Sequence, residues 1–107
     1  MSRVIRGERD ERVMALKSAL DAYEAAHPGS EARLYRQNPG SVRVRVIDGR
    51  FEAMTRSERH DELWAFLADQ VGSEVMEEVS QLLGLAPAET GESLANLDFE
   101  QSLKSQL

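Results

Sequence analysis

The sequence predicts an α/β (α+β) domain built as a small two-layer sandwich. Three observations carry this. Apolar residues recur at helical spacing over residues 9–26, alternate with arginine and tyrosine between 32 and 46, and return to helical spacing over 56–70. A helix, a hairpin and a second helix each leave one apolar face, and such faces bury one another in layers.

The first helix rests on Val13, Leu16, Leu20 and Tyr23, which share one face. Glu8, Asp10 and Glu11 lie where negative charge favours a helix N-terminus. His27-Pro28-Gly29 stops it. In the hairpin, Ala32, Leu34, Val42, Val44 and Val46 form one face, and Arg33, Tyr35, Arg43 and Arg45 the other. Asn38-Pro39-Gly40-Ser41 supplies the turn, because proline presets φ and glycine accepts positive φ. Asp48-Gly49-Arg50 ends the second strand. Thr55 and Glu58 form a capping box for a helix near 56–70, whose buried face is expected to hold His60, Leu63, Trp64, Leu67 and Val71. Gly72-Ser73 breaks that helix, and Ser73 with Glu74 caps a further turn. Propensity leaves the next stretch open between a helix over 74–83 and a strand over 79–85.

The bulk properties narrow the function classes. A chain of 107 residues holds one domain with a tail to spare. It contains no cysteine, which removes disulfides, thiol catalysis and zinc–thiolate sites. No signal-peptide core and no stretch of ~20 apolar residues is present, so a cytoplasmic protein without membrane attachment is expected. Residues 31–60 carry seven arginines against four acids, and residues 61–107 carry ten acids against Lys104. That asymmetry argues against a general nucleic-acid binder but leaves a local basic face.

One segment is more specific. Phe51, Glu52 and Met54 are followed by Arg59-His60, and then by Leu63, Trp64 and Leu67 in helical register. This pattern resembles the BolA family. Trp64 stands where that family usually has tyrosine, Ala53 where it has glycine, and Asp61 where a second arginine is usual. The resemblance implies an αββααβ order related to class II KH topology, with a three-stranded sheet and helices on one face. It favours the strand over 79–85 and divides the chain into an arm (1–8), a BolA-like domain (9–87) and a flexible acidic tail (88–107). It nominates Phe51, Glu52, Met54, Arg59 and His60 as partner-binding residues, and a monothiol glutaredoxin as the kind of partner. Relatives share a [2Fe–2S] cluster through a histidine in the third strand and a His or Cys in the hairpin loop. Ser80 falls at the first position, and residues 38–41 supply neither residue type at the second. A hydroxyl is a poor iron ligand, so no cofactor and no metal are expected.

The first functional reading is therefore a non-enzymatic interaction or regulatory protein. The alternative is a nucleic-acid-binding module using Arg33, Tyr35, Arg43 and Arg45, since open sheets bind phosphates and stack bases with such residues. No G-x-x-G loop of the KH type occurs. His60 reads as a core or helix-start histidine rather than a ligand, and His27 as a helix C-terminal residue. Asp61, Glu62, Asp69, Glu74, Glu77 and Glu78 show no ligand spacing and no nucleophile, so no catalytic site is expected. In the tail, Leu94, Leu97 and Phe99 either dock over the arginine face or belong to a disordered segment.

Overall fold

The computed structural model describes residues 1–91 and 93–101. Glu92 and residues 102–107 of the expected tail lie outside it, as do the side chains of Leu94, Asp98 and Gln101. The elements run β1 (Arg3–Arg6), α1 (Glu11–Ala26), β2 (Glu31–Asn38), β3 (Ser41–Ile47), a 3-10 turn (Gly49–Ala53), α2 (Arg56–Val71), α3 (Ser73–Met76), β4 (Val79–Leu85), a second 3-10 turn (Pro87–Glu89) and α4 (Leu94–Gln101).

The sheet has four strands in the order β1-β2-β3-β4, not three. The added strand, β1, comes from the residues expected to form an arm. It lies parallel to β2, with Val4 opposite Leu34. Its four residues are too few to show a period, and their partner strand lies about 30 residues further along the chain, at Arg33–Tyr35. Strands β2 and β3 form the expected antiparallel hairpin, with Leu34 opposite Val44 and Arg33 opposite Arg45. Strand β4 runs parallel to β3, which settles residues 79–85 as strand.

Helices α1 and α2 cover one face of the sheet. Val13, Leu16 and Leu20 from α1 meet Ala32, Leu34, Val44 and Val46 in one core with Leu63 and Leu67 of α2. Tyr23 joins the two helices edge-to-face with Phe66, at 5.3 Å between ring centroids. Asp10 caps α1 by accepting from the backbone N–H groups of Arg12 and Val13. The expected capping box of Thr55 and Glu58 opens α2.

Helix α4 lies on the opposite face, so the helices are not confined to one side. Phe99 is buried there against Tyr35 at 5.4 Å between ring centroids. Of the two alternatives for the tail, the docked one describes residues 94–101. Gly7 marks the one tight crossing near β1. Its φ is +80°, and a Cβ there would lie 2.5 Å from the carbonyl oxygen of Arg36.

Candidate functional site

The turn into α2 is tied down from several directions. The Asp48 carboxylate accepts from the backbone N–H of Arg50 at 3.0 Å and from the buried Tyr23 hydroxyl at 2.7 Å. Burial, with Asp48 beside it, pushes the Tyr23 hydroxyl well above its ordinary pKa. Phe51 drops fully into the core. Arg59 then links three segments. Its Nε donates to the Met54 carbonyl at 3.1 Å and its Nη1 to the Gly84 carbonyl at 3.2 Å. Its two terminal nitrogens grip the Glu89 carboxylate at 2.6 and 3.1 Å. That hydrogen-bonded pair lowers the Glu89 pKa from 4.5 to about 2.

Three of the five nominated partner-binding residues, Phe51, Met54 and Arg59, thus face inward as structural ties, with Met54 half-buried. Glu52 and His60 are exposed. The expected burial of His60 and Trp64 is not what the fold does. The inward line of α2 is Arg59, Leu63 and Leu67, four residues apart, and it points at Phe51 and Gly84. One residue further round the helix, about 100° away, His60 and Trp64 stand at its flank. Their rings stack at 5.8 Å between centroids, outside the core. Trp64 remains 37% exposed.

Beside this stack lies an apolar groove of about 540 Å³. Trp64 and Ala68 of α2, Ser73 and Met76 of α3, Glu77, and Val79 of β4 line it. Sequence reasoning missed Ser73, Met76 and Val79 as neighbours of Trp64. No spacing rule brings them together; the turn at Gly72, with φ +83°, does so by folding α3 back beside α2.

The arginine face is occupied. Arg45 is fully buried, and its Nη1 donates to Asn96 Oδ1 and Glu100 Oε1, both at 2.8 Å. Its Nη2 donates to Glu31 at 3.0 Å. Burial lowers the Arg45 pKa, and the Glu100 hydrogen bond opposes that. Arg33 pairs with Glu31 at 2.8 Å and stands 3.8 Å from Glu100. Tyr35 is buried, accepts from Arg43 at 3.1 Å, and carries the Arg6 guanidinium 4.2 Å above its ring. The four nominated residues therefore do share one face, and α4 covers Tyr35 and Arg45.

The residues present do not fit an iron–sulfur cluster. Ser80, at the position where the family resemblance would place the strand histidine, hydrogen-bonds through its hydroxyl to Ser41 at the end of the hairpin loop, and residues 38–41 hold neither His nor Cys. His27 sits elsewhere, its Nδ1 3.0 Å from the Tyr23 carbonyl, and His60 is held in the Trp64 stack. Among the described residues no group of three or more His, Asp or Glu side chains could hold a metal ion. Among them, too, no helix is long and apolar enough to cross a membrane. Comparisons with protein-family models, curated proteins and solved structures gave no match.

Proposed function

We propose that this chain is a non-enzymatic interaction module with a BolA-like core, docking a protein partner on the surface formed by α2, α3 and β4. The observation that carries this reading is the exposed Trp64 beside an apolar groove. Large aromatic side chains in such settings anchor protein interfaces. The stretch from α1 to β4 runs helix, two strands, two helices and strand, inside a larger four-stranded fold with β1 and α4 added, and that partial likeness is what supports the reading. In it, Phe51, Met54 and Arg59 hold the α2 surface in place, His60 stacks on Trp64 at its flank, and Glu52 is exposed in the turn before α2. The resemblance points to a glutaredoxin-type partner. With serine at position 80 and neither His nor Cys in residues 38–41, that pairing rests on surface contact rather than a shared cluster. The cysteine-free composition suits a reducing, cytoplasmic setting.

Nucleic-acid binding is the second reading. Arg33, Arg43, Arg45 and Tyr35 on one sheet face favour it, and the docked α4 opposes it, because a polyanion would have to displace Phe99 and Glu100.

The test is parallel capture with the native chain and with Trp64→Asp, followed by calorimetry on each identified partner in pure form. Purified monothiol glutaredoxin, handled anaerobically, is the first candidate to titrate. The expected result is a partner whose affinity falls about tenfold or more, on the order of 1.4 kcal/mol, in Trp64→Asp. Equal affinity for both chains, with the variant folded by circular dichroism, rejects this surface.

A further inference from the structure

We infer that the free edge of β4 accepts an extended, cationic segment of a partner protein as a fifth strand, with one apolar side chain of that segment seated between Trp64 and Met76. This rests on the interaction reading above and names the partner's chemistry and mode of binding.

The two edges of the sheet differ. The outer strand β1 is four residues long, with arginine at both ends. Short length and charge are the usual protections of an exposed edge. The outer strand β4 has seven residues, Val79–Leu85, with no charge and no proline. It carries neither of those protections; its one irregularity is confined to the Val79–Gln81 end, where the register with β3 shifts.

The backbone of β4 has an outward side. Asp48 donates its N–H to the Leu85 carbonyl at 3.0 Å, so Leu85 faces β3. Alternation turns Leu83 and Gln81 the same way, and leaves Leu82 and Gly84 facing outward. The Gly84 carbonyl is already taken by Arg59 at 3.2 Å. Leu82 therefore offers its N–H and carbonyl at the open edge, and Ser80 is exposed beside it. The groove begins at Val79 on the same strand. An added strand places alternate side chains on the groove's side of the sheet, which is the geometry of strand addition with a side-chain pocket.

Charge selects the occupant. Glu77 lines the groove, and Asp69 and Glu74 adjoin its lining residues in sequence; all three are exposed. None has an ion-pair partner among the described residues, whereas Glu78 pairs with Arg12 and Arg36. The Arg12 guanidinium lies 3.4 Å from the Glu74 carbonyl, and the apolar groove itself carries the Glu77 carboxylate, with Asp69 and Glu74 on residues adjoining its lining in sequence. A second copy of this chain, at net charge −6, would bring more of the same sign. A segment alternating apolar and basic side chains matches both features.

The chain's single tryptophan lies in the groove and reports on it. The probes are a nine-residue peptide alternating lysine and valine, the same peptide with glutamate for lysine, and the lysine peptide with alternate backbone amides N-methylated. The lysine peptide is expected to shift Trp64 emission saturably and to perturb the Leu82 amide in heteronuclear NMR. Glu77→Lys should weaken it about tenfold, and salt should weaken it further. The glutamate peptide should not bind. The N-methylated peptide keeps the charges and side chains but loses strand pairing along one edge, so it should bind at least about tenfold more weakly. Absence of binding by the lysine peptide overturns the inference, as does equal binding of the glutamate or the N-methylated peptide. Concentration-dependent dimerisation in sedimentation, lost in Trp64→Asp, also overturns it by making a second copy the occupant. A partner that requires Trp64 yet is not displaced by the lysine peptide sinks strand addition alone and leaves the interaction reading standing.

Discussion

At the scale of single residues, Arg59 and Gly84 show how side-chain chemistry fixes the α2 surface. The Glu89 carboxylate that Arg59 holds has its pKa lowered from 4.5 to about 2. A depressed folded-state pKa gives stability that is complete above the unfolded value and lost as pH falls through the folded one. The pair's contribution should thus be full above about pH 4.5 and vanish towards about pH 2. Glu89→Gln is expected to cost about 1 kcal/mol at neutral pH, since the site is partly solvated. Urea denaturation at pH 7, 4 and 2.5 should show the two chains converging as pH falls; a constant gap would contradict this account. At Gly84, a Cβ would lie 3.2 Å from Arg59 Cβ and Phe51 Cε2, and 3.3 Å from Leu63 Cδ1. Arg59 Cβ sits next to the backbone, and the Phe51 ring and Leu63 methyl belong to fully buried side chains with little room to move. Gly84→Ala should therefore destabilise by about 1–3 kcal/mol through overpacking, read as a lower urea midpoint at unchanged slope.

At the scale of elements, α4 behaves as a cover. Eight residues do not make a stable isolated helix, so α4 depends on what it touches. Its described anchors are Phe99 on Tyr35, and Glu100 and Asn96 on Arg45. Phe99→Ala should release it. A buried Phe→Ala change costs about 3–5 kcal/mol where the cavity persists, but detachment of α4 relieves the cavity and the loss should fall below that range. Hydrogen exchange checks this directly. The amides of α4 should lose protection in the variant while those of β2 and β3 keep theirs, and retained protection in α4 would mean that other contacts hold it.

At the scale of the whole molecule, two parallel strand–helix–strand units, β1-α1-β2 and β3-α2-β4, meet at the central hairpin. Residues 1–6 are then part of the sheet rather than an appendage. Ser2 reinforces this, donating from its backbone N–H and its hydroxyl to Asp21 at 2.7 and 2.6 Å. Deleting residues 1–6 should bare the β2 edge and remove the buried Val4. Burial of one such side chain contributes about 1.5–3 kcal/mol, and each kcal/mol corresponds to about 4–8 °C in Tm for a domain of this size. A fall in Tm of roughly 10 °C is expected by calorimetry, with increased association through the bared edge. An unchanged Tm would make the first residues a true arm.

The sequence by itself determined the local elements. The spacing of Val13, Leu16, Leu20 and Tyr23 wrote α1, the alternation around Asn38-Pro39-Gly40 wrote the hairpin, and Thr55 with Glu58 wrote the start of α2. Each is a signal confined to a few neighbouring residues, where propensity and periodicity act. Only the tertiary structure decided the rest. It decided that β1 pairs at all, that residues 79–85 extend along β3, and which neighbouring line of α2 faces inward. It assigned Arg59 to the interior and left Trp64 outside, although both sit on a helix whose apolar stripe is legible to within one residue's rotation. It brought Ser41 beside Ser80, and Met76 and Val79 beside Trp64, across turns whose geometry no local pattern encodes. It laid α4 over Arg45, since a buried guanidinium is tolerated only where acceptors from distant segments converge on it.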